Sequence, residues 1–196
     1  MKKYELTSET QDFMGRTLYR IRALVSFGNV RAGDLGGWVE GEQNLGQYGN
    51  AWVFGDARVY GDARVYGDAR VYGDAWVFGN AWVFGDARVY GDARVDGDAR
   101  VYGDARVFGN ARVFGNARVD KIGAIFWIGA IGSRNDTTTF FRCKDKKIRV
   151  SCGCFFGDLD EFAEKVKETH GDNEYGRVYM LAIEMAKARI GNENEE

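Results

Sequence analysis

Four side chains toward the C-terminal end of the sequence have types that could bind a metal ion. They are Cys143, Cys152, Cys154 and His170. Three thiolates and one imidazole form the ligand set of a Cys3His zinc site, and Cys152 and Cys154 would share one face of a strand. The spacing differs from that of a common zinc finger. Free cysteines are often small buried hydrophobic residues, and a histidine before a glycine often caps a helix, so we predict no metal or other cofactor.

The same residues could supply nucleophilic chemistry. His170 with Cys152 or Cys154 would make a thiol and base pair. Nothing in the sequence brings the two groups together or supplies a third group to orient the base. We therefore name these three residues as the catalytic candidates and predict that the protein is not an enzyme.

The element that must position everything else is an uninterrupted array from Gly49 to Asp120. It consists of twelve six-residue units of the form Gly-Asp/Asn-Ala-Arg/Trp-Val-aromatic. A period of six is too short for a helical repeat and fits a parallel β-helix. Three units would close a triangular coil, and coils stack about 4.8 Å apart. With one imperfect coil in the Gly-rich stretch 30–48, we expect about four or five coils.

Side chains alternate across a strand, so Ala and Val of each unit point one way and Arg or Trp and the aromatic residue point the other. Nine arginines cannot be buried without partners, so Ala and Val must fill the interior. A period of eighteen residues then places one Trp and three Arg in a column on each face. The columns are Trp52, Arg70, Arg88, Arg106; Arg58, Trp76, Arg94, Arg112; and Arg64, Trp82, Arg100, Arg118.

These outward columns have two interpretations. Arginine stems can cover the aromatic rings, with cation–π contacts and Arg–Asp pairs relieving the charge, in which case the columns only stabilise the fold. Alternatively, they form a recognition surface for a second copy or another macromolecule. The residues predicted for that surface are Trp52, Trp76, Trp82, Arg70, Arg88, Arg94, Arg100, Arg106, Tyr72, Tyr90 and Tyr102.

Units such as Val59-Tyr60-Gly61-Asp62-Ala63-Arg64 resemble the hexapeptide repeat of the left-handed β-helix family. The stretch 30–40 running into Gly49-Asn50-Ala51-Trp52-Val53 is also similar to the start of proteins assigned as bacterial hexapeptide-repeat acyltransferases. The resemblance implies a left-handed coil. It also offers an alternative function, an acyltransferase using acyl-CoA. Such enzymes generally use a histidine base beside an extruded loop, and this array contains neither.

The segments before and after the array lack its strict six-residue period. Residues 1–36 are predicted to be an N-terminal β segment and cap, with a strand over 17–25; residues 37–120 hold the β-helix; and residues 121–196 form a small α+β module that caps its end. In that module we expect strands near 122–129, 137–143 and 147–152. A helix begins after Asp158 with Glu161 completing a capping box and ends at Gly171.

The second helix of the module is predicted over about 174–190. Its buried stripe is expected to be Val178, Leu181, Ala182 and Met185. The acidic residues 193–196 are expected to lie in solvent.

Charge and cysteine content limit the partners. The sequence has 27 Lys+Arg against 29 Asp+Glu, a net charge of −2, which argues against nucleic acid as a partner. No apolar run is long enough for a signal peptide or a membrane helix, and three cysteines suggest reduced thiols in the cytoplasm. We predict a mainly β interaction or scaffolding protein that binds a protein partner or itself, with a homotrimer as one arrangement.

Overall fold

The computed structural model describes residues 2–191 and shows a three-sided β-solenoid of about five turns with two C-terminal helices. Each repeat unit contributes one two-residue strand. These strands are β4 (Trp52–Val53), β5 (Arg58–Val59), β6 (Arg64–Val65), β7 (Arg70–Val71), β8 (Trp76–Val77), β9 (Trp82–Val83), β10 (Arg88–Val89), β11 (Arg94–Val95), β12 (Arg100–Val101), β13 (Arg106–Val107), β14 (Arg112–Val113) and β15 (Arg118–Val119). The predicted fold class is confirmed.

Parallel pairing at a spacing of eighteen residues builds three faces. The first face consists of β4, β7, β10 and β13, the second contains β5, β8, β11 and β14, and the third consists of β6, β9, β12 and β15. Arg88, for example, pairs with Arg70 on one side and Arg106 on the other. All three predicted columns are confirmed.

The interior is filled only by the small and the β-branched residue of each unit. Every Ala and Val of the repeat strands and corners is fully buried, from Ala51 and Val53 to Ala117 and Val119. The corner glycine is required where φ is positive and the next coil is close. A Cβ at Gly73, which has φ 73°, would lie 3.0 Å from the backbone nitrogen of Gly91. Uniform small residues thus give a narrow, close-packed prism.

The N-terminal segment extends the second face and covers the first coil. Strand β1 (Tyr4–Phe13) pairs antiparallel with β2 (Arg16–Ala23), which pairs with β3 (Leu35–Val39), and β3 then pairs parallel with β5. The strand predicted over 17–25 is β2, and the imperfect first coil is confirmed by the pairing of β3 with the array. The predicted division between residues 36 and 37 falls inside β3 and stays a prediction.

The C-terminal module is an antiparallel sheet carrying two helices. Its strands are β16 (Ile125–Ile131), β17 (Asp136–Arg142), β18 (Ile148–Cys152) and β19 (Phe155–Asp158). Helix α1 (Leu159–His170) begins with the predicted capping box and ends at Gly171, and helix α2 (Glu174–Ile190) has the predicted span. Residues 193–196, expected in solvent, lie outside the described residues.

The predicted buried stripe of α2 is wrong except at Ala182. Val178, Leu181 and Met185 are exposed, with Leu181 65% accessible. The residues packed against the sheet and α1 are instead Gly176, Tyr179, Ala182, Ile183, Ala186 and Ile190. The helix is apolar on two sides, so periodicity alone does not show which side is buried.

The two ends of the solenoid carry backbone groups that no further coil can pair, and the flanking segments satisfy several of them. Parallel pairing uses N–H groups of both neighbouring coils, and Arg88 N, for example, donates to Ala105 O of the next coil at 2.9 Å. Each end therefore leaves both donors and acceptors to satisfy, and Lys144 N donates to Asn116 O of the last coil at 3.1 Å. Lys3 Nζ donates to Ala51 O at 2.9 Å at the first end. Thr139 Oγ1 in β17 accepts from Arg112 N at 3.1 Å at the last.

No helix within residues 2–191 is both long and apolar enough to span a membrane.

Candidate functional site

The four residues considered for metal or nucleophilic chemistry lie in separate surroundings. Cys143 follows the end of β17 that pairs with the start of β18, whereas Cys152 pairs with Thr138 at the opposite end. Five residues of extended strand between positions 138 and 143 correspond to about 17 Å. Cys154 is exposed in the turn after β18. No group of three or more His, Cys, Asp or Glu side chains in the described part of the chain could hold a metal ion.

His170 and Cys152 both contact Tyr179, the first at its ring and the second at its hydroxyl group. The imidazole of His170 stacks on the Tyr179 ring at 5.7 Å between centroids. Cys152 Sγ accepts a hydrogen bond from Thr138 Oγ1 at 3.2 Å and is 3.7 Å from the Tyr179 hydroxyl. Burial raises the pKa of Tyr179, and the Cys152 contact raises it further. These are packing and hydrogen-bonding roles for a partly buried thiol.

The first face carries a ladder of stacked aromatic rings. Tyr72 and Tyr90 are 4.8 Å apart with an interplanar angle of 3°, and Tyr90 and Phe108 are 4.8 Å apart at 7°. The rings stack on one another along the solenoid axis, so their edges face outward. Ring edges carry the positive end of the aromatic quadrupole. The ladder is consequently a poor platform for stacking a base or sugar.

Beside this ladder runs a column of arginines. Arg88 and Arg106 are exposed and Arg70 is half-buried. None of the three forms an ion pair with an acidic side chain within residues 2–191. Guanidinium groups repeat along the face at about the coil spacing of 4.8 Å. Three close positive charges beside positive ring edges favour the binding of an anion, although Asp68, Asp86 and Asp104 stand two residues before them at the corners.

Trp52 does not belong to the accessible surface, which corrects one predicted site residue. It is only 1% exposed, because Tyr4 packs edge-on at 6.1 Å and Phe27 at 5.4 Å. The sequence could not show this, since Tyr4 and Phe27 precede the array by more than twenty residues. Trp52 instead joins the N-terminal segment to the first coil.

The second face is partly covered by the tip of the β1–β2 hairpin. Phe13 contacts Trp76 edge-on at 4.9 Å. The Arg94 guanidinium lies over the Trp76 ring in a cation–π contact, 4.1 Å from the ring centre. Asp96 takes the place of an aromatic residue in this column, and burial raises its pKa. Trp76 and Arg94 are thus occupied by contacts within the chain.

The third face is open but its arginines are engaged. Trp82 lies between the guanidinium groups of Arg100 at 4.7 Å and Arg64 at 5.7 Å. Arg118 donates to the backbone carbonyl oxygens of Asp98 at 3.0 Å and Ala117 at 2.8 Å. Tyr102 stacks on Phe84 at 4.9 Å. Of the predicted surface arginines, Arg70, Arg88 and Arg106 share the first face without such engagements, beside the stacked rings of Tyr72 and Tyr90.

Two clefts on the first face include residues that the sequence did not single out. One, of about 300 Å³, is lined by Asn29, Phe54, Arg70, Tyr72 and Arg88. The other, of about 360 Å³, lies where Trp127 packs edge-on against Phe108 at 4.2 Å. Arg106 and Arg189 contribute to its lining. Asn29 and Arg189 belong to the flanking segments, so no repeat pattern indicates their presence here.

Comparison with known proteins agrees with this architecture. The family model described as "YdcK Beta solenoid repeat" matches four segments of the array, which overlap in two pairs, at residues 57–73 and 63–79 and at residues 87–103 and 99–113. No curated protein sequence matches the chain. The family match gives no activity, and the predicted resemblance to acyltransferases stays a prediction. The chain is a β-solenoid repeat protein whose array is similar to the YdcK β-solenoid repeat.

Proposed function

We propose that this protein is a non-enzymatic binding protein whose first face holds an acidic segment of another protein. The observation that carries the proposal is the column of Arg70, Arg88 and Arg106, which has no acidic partner within residues 2–191. Stacked like charges repel, and carboxylates from a bound partner would relieve that repulsion. A rigid prism with such a face serves as a scaffold in the cytoplasm, the compartment that the free thiols favour.

The chemical groups exposed on the first face indicate the class of partner. A nucleic-acid strand is held by stacking on free aromatic faces as well as by phosphate contacts, and here the rings are stacked on each other. Carboxylates need only guanidinium groups and positive ring edges. Acidic side chains on an extended protein segment therefore fit the face better than a base-stacking ligand.

The test uses a fluorescently labelled poly-glutamate peptide as probe, followed by anisotropy at low and physiological salt. We expect salt-sensitive binding that Arg88→Glu weakens about tenfold, since reversing one contacting charge costs roughly 1.4 kcal/mol. Arg112→Glu is the matched control, because it changes the net charge equally on the second face. It should alter binding less than about twofold.

Four outcomes would count against the proposal. Equal loss in Arg88→Glu and Arg112→Glu would show a general charge effect, and absence of binding at low salt would show no site. Tighter, Arg88-dependent binding of a single-stranded oligonucleotide would assign the face to nucleic acid. Tight binding of acyl-CoA by calorimetry would favour the transferase alternative.

A further inference from the structure

Helix α2 has a second apolar side that nothing in the described chain covers. Its exposed residues Val178, Leu181 and Met185 are 38%, 65% and 52% accessible. Their spacing of three and four residues places them in one stripe along the helix. Ile122, 40% exposed, precedes the sheet next to this helix and widens the apolar area. Exposed apolar patches of this kind mark interaction surfaces.

The ends of the stripe carry opposite charges. Glu174 lies one turn before Val178, and Arg189 lies one turn after Met185, so both fall on the same side of α2. Neither side chain forms an ion pair within residues 2–191. From N- to C-terminus the exposed side thus reads acid, apolar, apolar, apolar, base, over about 22 Å.

Two copies of this side of α2 match each other when the helices run in opposite directions, because the acidic end of one then faces the basic end of the other. If a second α2 packs antiparallel about a two-fold axis beside Leu181, Glu174 meets the partner's Arg189 and Val178 meets the partner's Met185. Arg177 then lies near the partner's Glu184, which within its own helix also pairs with Lys187 at 3.0 Å. A parallel arrangement would oppose like charges instead. Isologous contact of one patch with itself is the usual form of a two-fold dimer.

We propose that the protein forms a two-fold dimer through antiparallel packing of α2 against α2 of a second copy. The occupant is a second copy because the charge order complements itself, with acid at one end and base at the other. The end of the stripe meets the first face at the cleft that Arg106 and Arg189 both line, whereas Arg70 and Arg88 line a separate cleft, so the inference does not depend on the binding function proposed above. One helix side is a small interface, so the dimer is expected to dissociate in the micromolar range.

The charged ends permit a test by mixing. Glu174→Arg makes both ends of the stripe positive, and Arg189→Glu makes both ends negative. Each variant alone should self-associate about tenfold more weakly than the unchanged protein, because two attractive contacts become repulsive. An equimolar mixture of the two should recover dimers, since every contact then joins opposite charges. Sedimentation velocity from about 1 to about 200 µM measures these states.

The apolar centre provides a second measurement. Leu181→Glu should give a monomer over the same concentrations, because a two-fold axis places both glutamates close together. Leu24→Glu is the matched control, since Leu24 is also exposed, at 43%, and lies in the N-terminal segment. It should dimerise like the unchanged protein. Circular dichroism melts confirm that every variant is folded.

The proposal is overturned if the unchanged protein is monomeric throughout the range. It is also overturned if Leu181→Glu dimerises normally, or if the mixture associates no better than the separate variants. A trimer insensitive to these three substitutions would place the contact on the prism faces.

Discussion

The three cysteines, taken one residue at a time, occupy environments that should give them different reactivity. Cys154 is exposed and Cys143 is buried, 2% accessible. Burial raises the pKa of Cys143 to about 11, so its thiolate fraction near pH 8 is roughly a hundred times below that of an ordinary thiol. We expect iodoacetamide to alkylate Cys154 first and to leave Cys143 unmodified while the protein is folded.

Peptide mass spectrometry after timed alkylation measures this order. In guanidinium chloride all three thiols should react at similar rates, which is the control for reagent access. Alkylation of Cys143 as fast as Cys154 under native conditions would contradict the buried position of Cys143 and its raised pKa.

Asp96 stands in a column of the second face where the other repeat units have an aromatic residue. Tyr60 and Phe78 stack at 5.1 Å on the second face, and the column resumes only at Phe114. Asp96→Tyr should place a ring between Phe78 and Phe114 and remove a carboxylate that burial disfavours in its charged form. Two new aromatic pairs predict a gain of about 1–2 kcal/mol in the free energy of unfolding.

A urea titration measures the gain. Asp92→Tyr, at an exposed corner next to no stacked ring, is the control and should change stability by less than about 0.5 kcal/mol. An Asp96→Tyr protein no more stable than this control would mean that Asp96 is favoured at its site, for instance through Arg94.

At the scale of elements, the sequence predicts some strands and helices well and others not at all. The repeat strands follow from a strict period of six, because only one assignment buries Ala and Val and exposes Arg. Strand β1 contains Thr7, Ser8, Glu9, Thr10 and Gln11 in succession, without the apolar alternation that signals a strand. It forms because β2 supplies its hydrogen-bonding partner, which is a tertiary effect.

The sequence predicts which residues of the candidate site lie in one column, but not which of the three faces is accessible to solvent. Stacking at eighteen residues correctly places Arg70, Arg88 and Arg106 together. Which face stays open depends on where Phe13 and Phe27 pack, and these contacts span long distances in sequence. The exposed side of α2 was missed for a related reason, since two apolar sides compete and only the neighbouring sheet decides between them.

The cap at the last end of the solenoid includes one side-chain hydrogen bond that can be removed by itself. Thr139→Val should leave Arg112 N–H without its acceptor at the end of the solenoid, while the buried volume is kept. An unsatisfied, partly buried donor predicts a loss of about 1–2 kcal/mol in unfolding free energy. Thr137→Val is the control, since its hydroxyl makes no hydrogen bond among residues 2–191. Equal stability of the two variants would show that water replaces the cap.

At the scale of the whole molecule, the protein is a stack of nearly equivalent coils between two different ends. The N-terminal segment contacts the array down to Trp76 and Phe78, and the C-terminal module contacts β14, β15 and neighbouring side chains such as Phe108. The coil between these regions pairs with the coils above and below, as Arg88 does with Arg70 and Arg106. In such quasi-one-dimensional proteins, stability is close to a sum over repeats and nearest neighbours.

This independence predicts that one complete coil can be removed. Deleting Gly85–Tyr102, eighteen residues, joins Phe84 to Gly103 and lets Arg70 stack directly on Arg106 without disturbing either cap. The shortened protein should fold, with an unfolding free energy lower by about 1–3 kcal/mol, the share expected for eighteen residues. Deleting the fifteen residues Gly85–Ala99 removes less chain but brings Arg100 to a corner position, so the interior alternation is lost and the solenoid should not form. Circular dichroism and guanidinium titration of the two proteins distinguish the cases. If the fifteen-residue deletion proved as stable as the eighteen-residue one, the stacking register would not be what holds the array together.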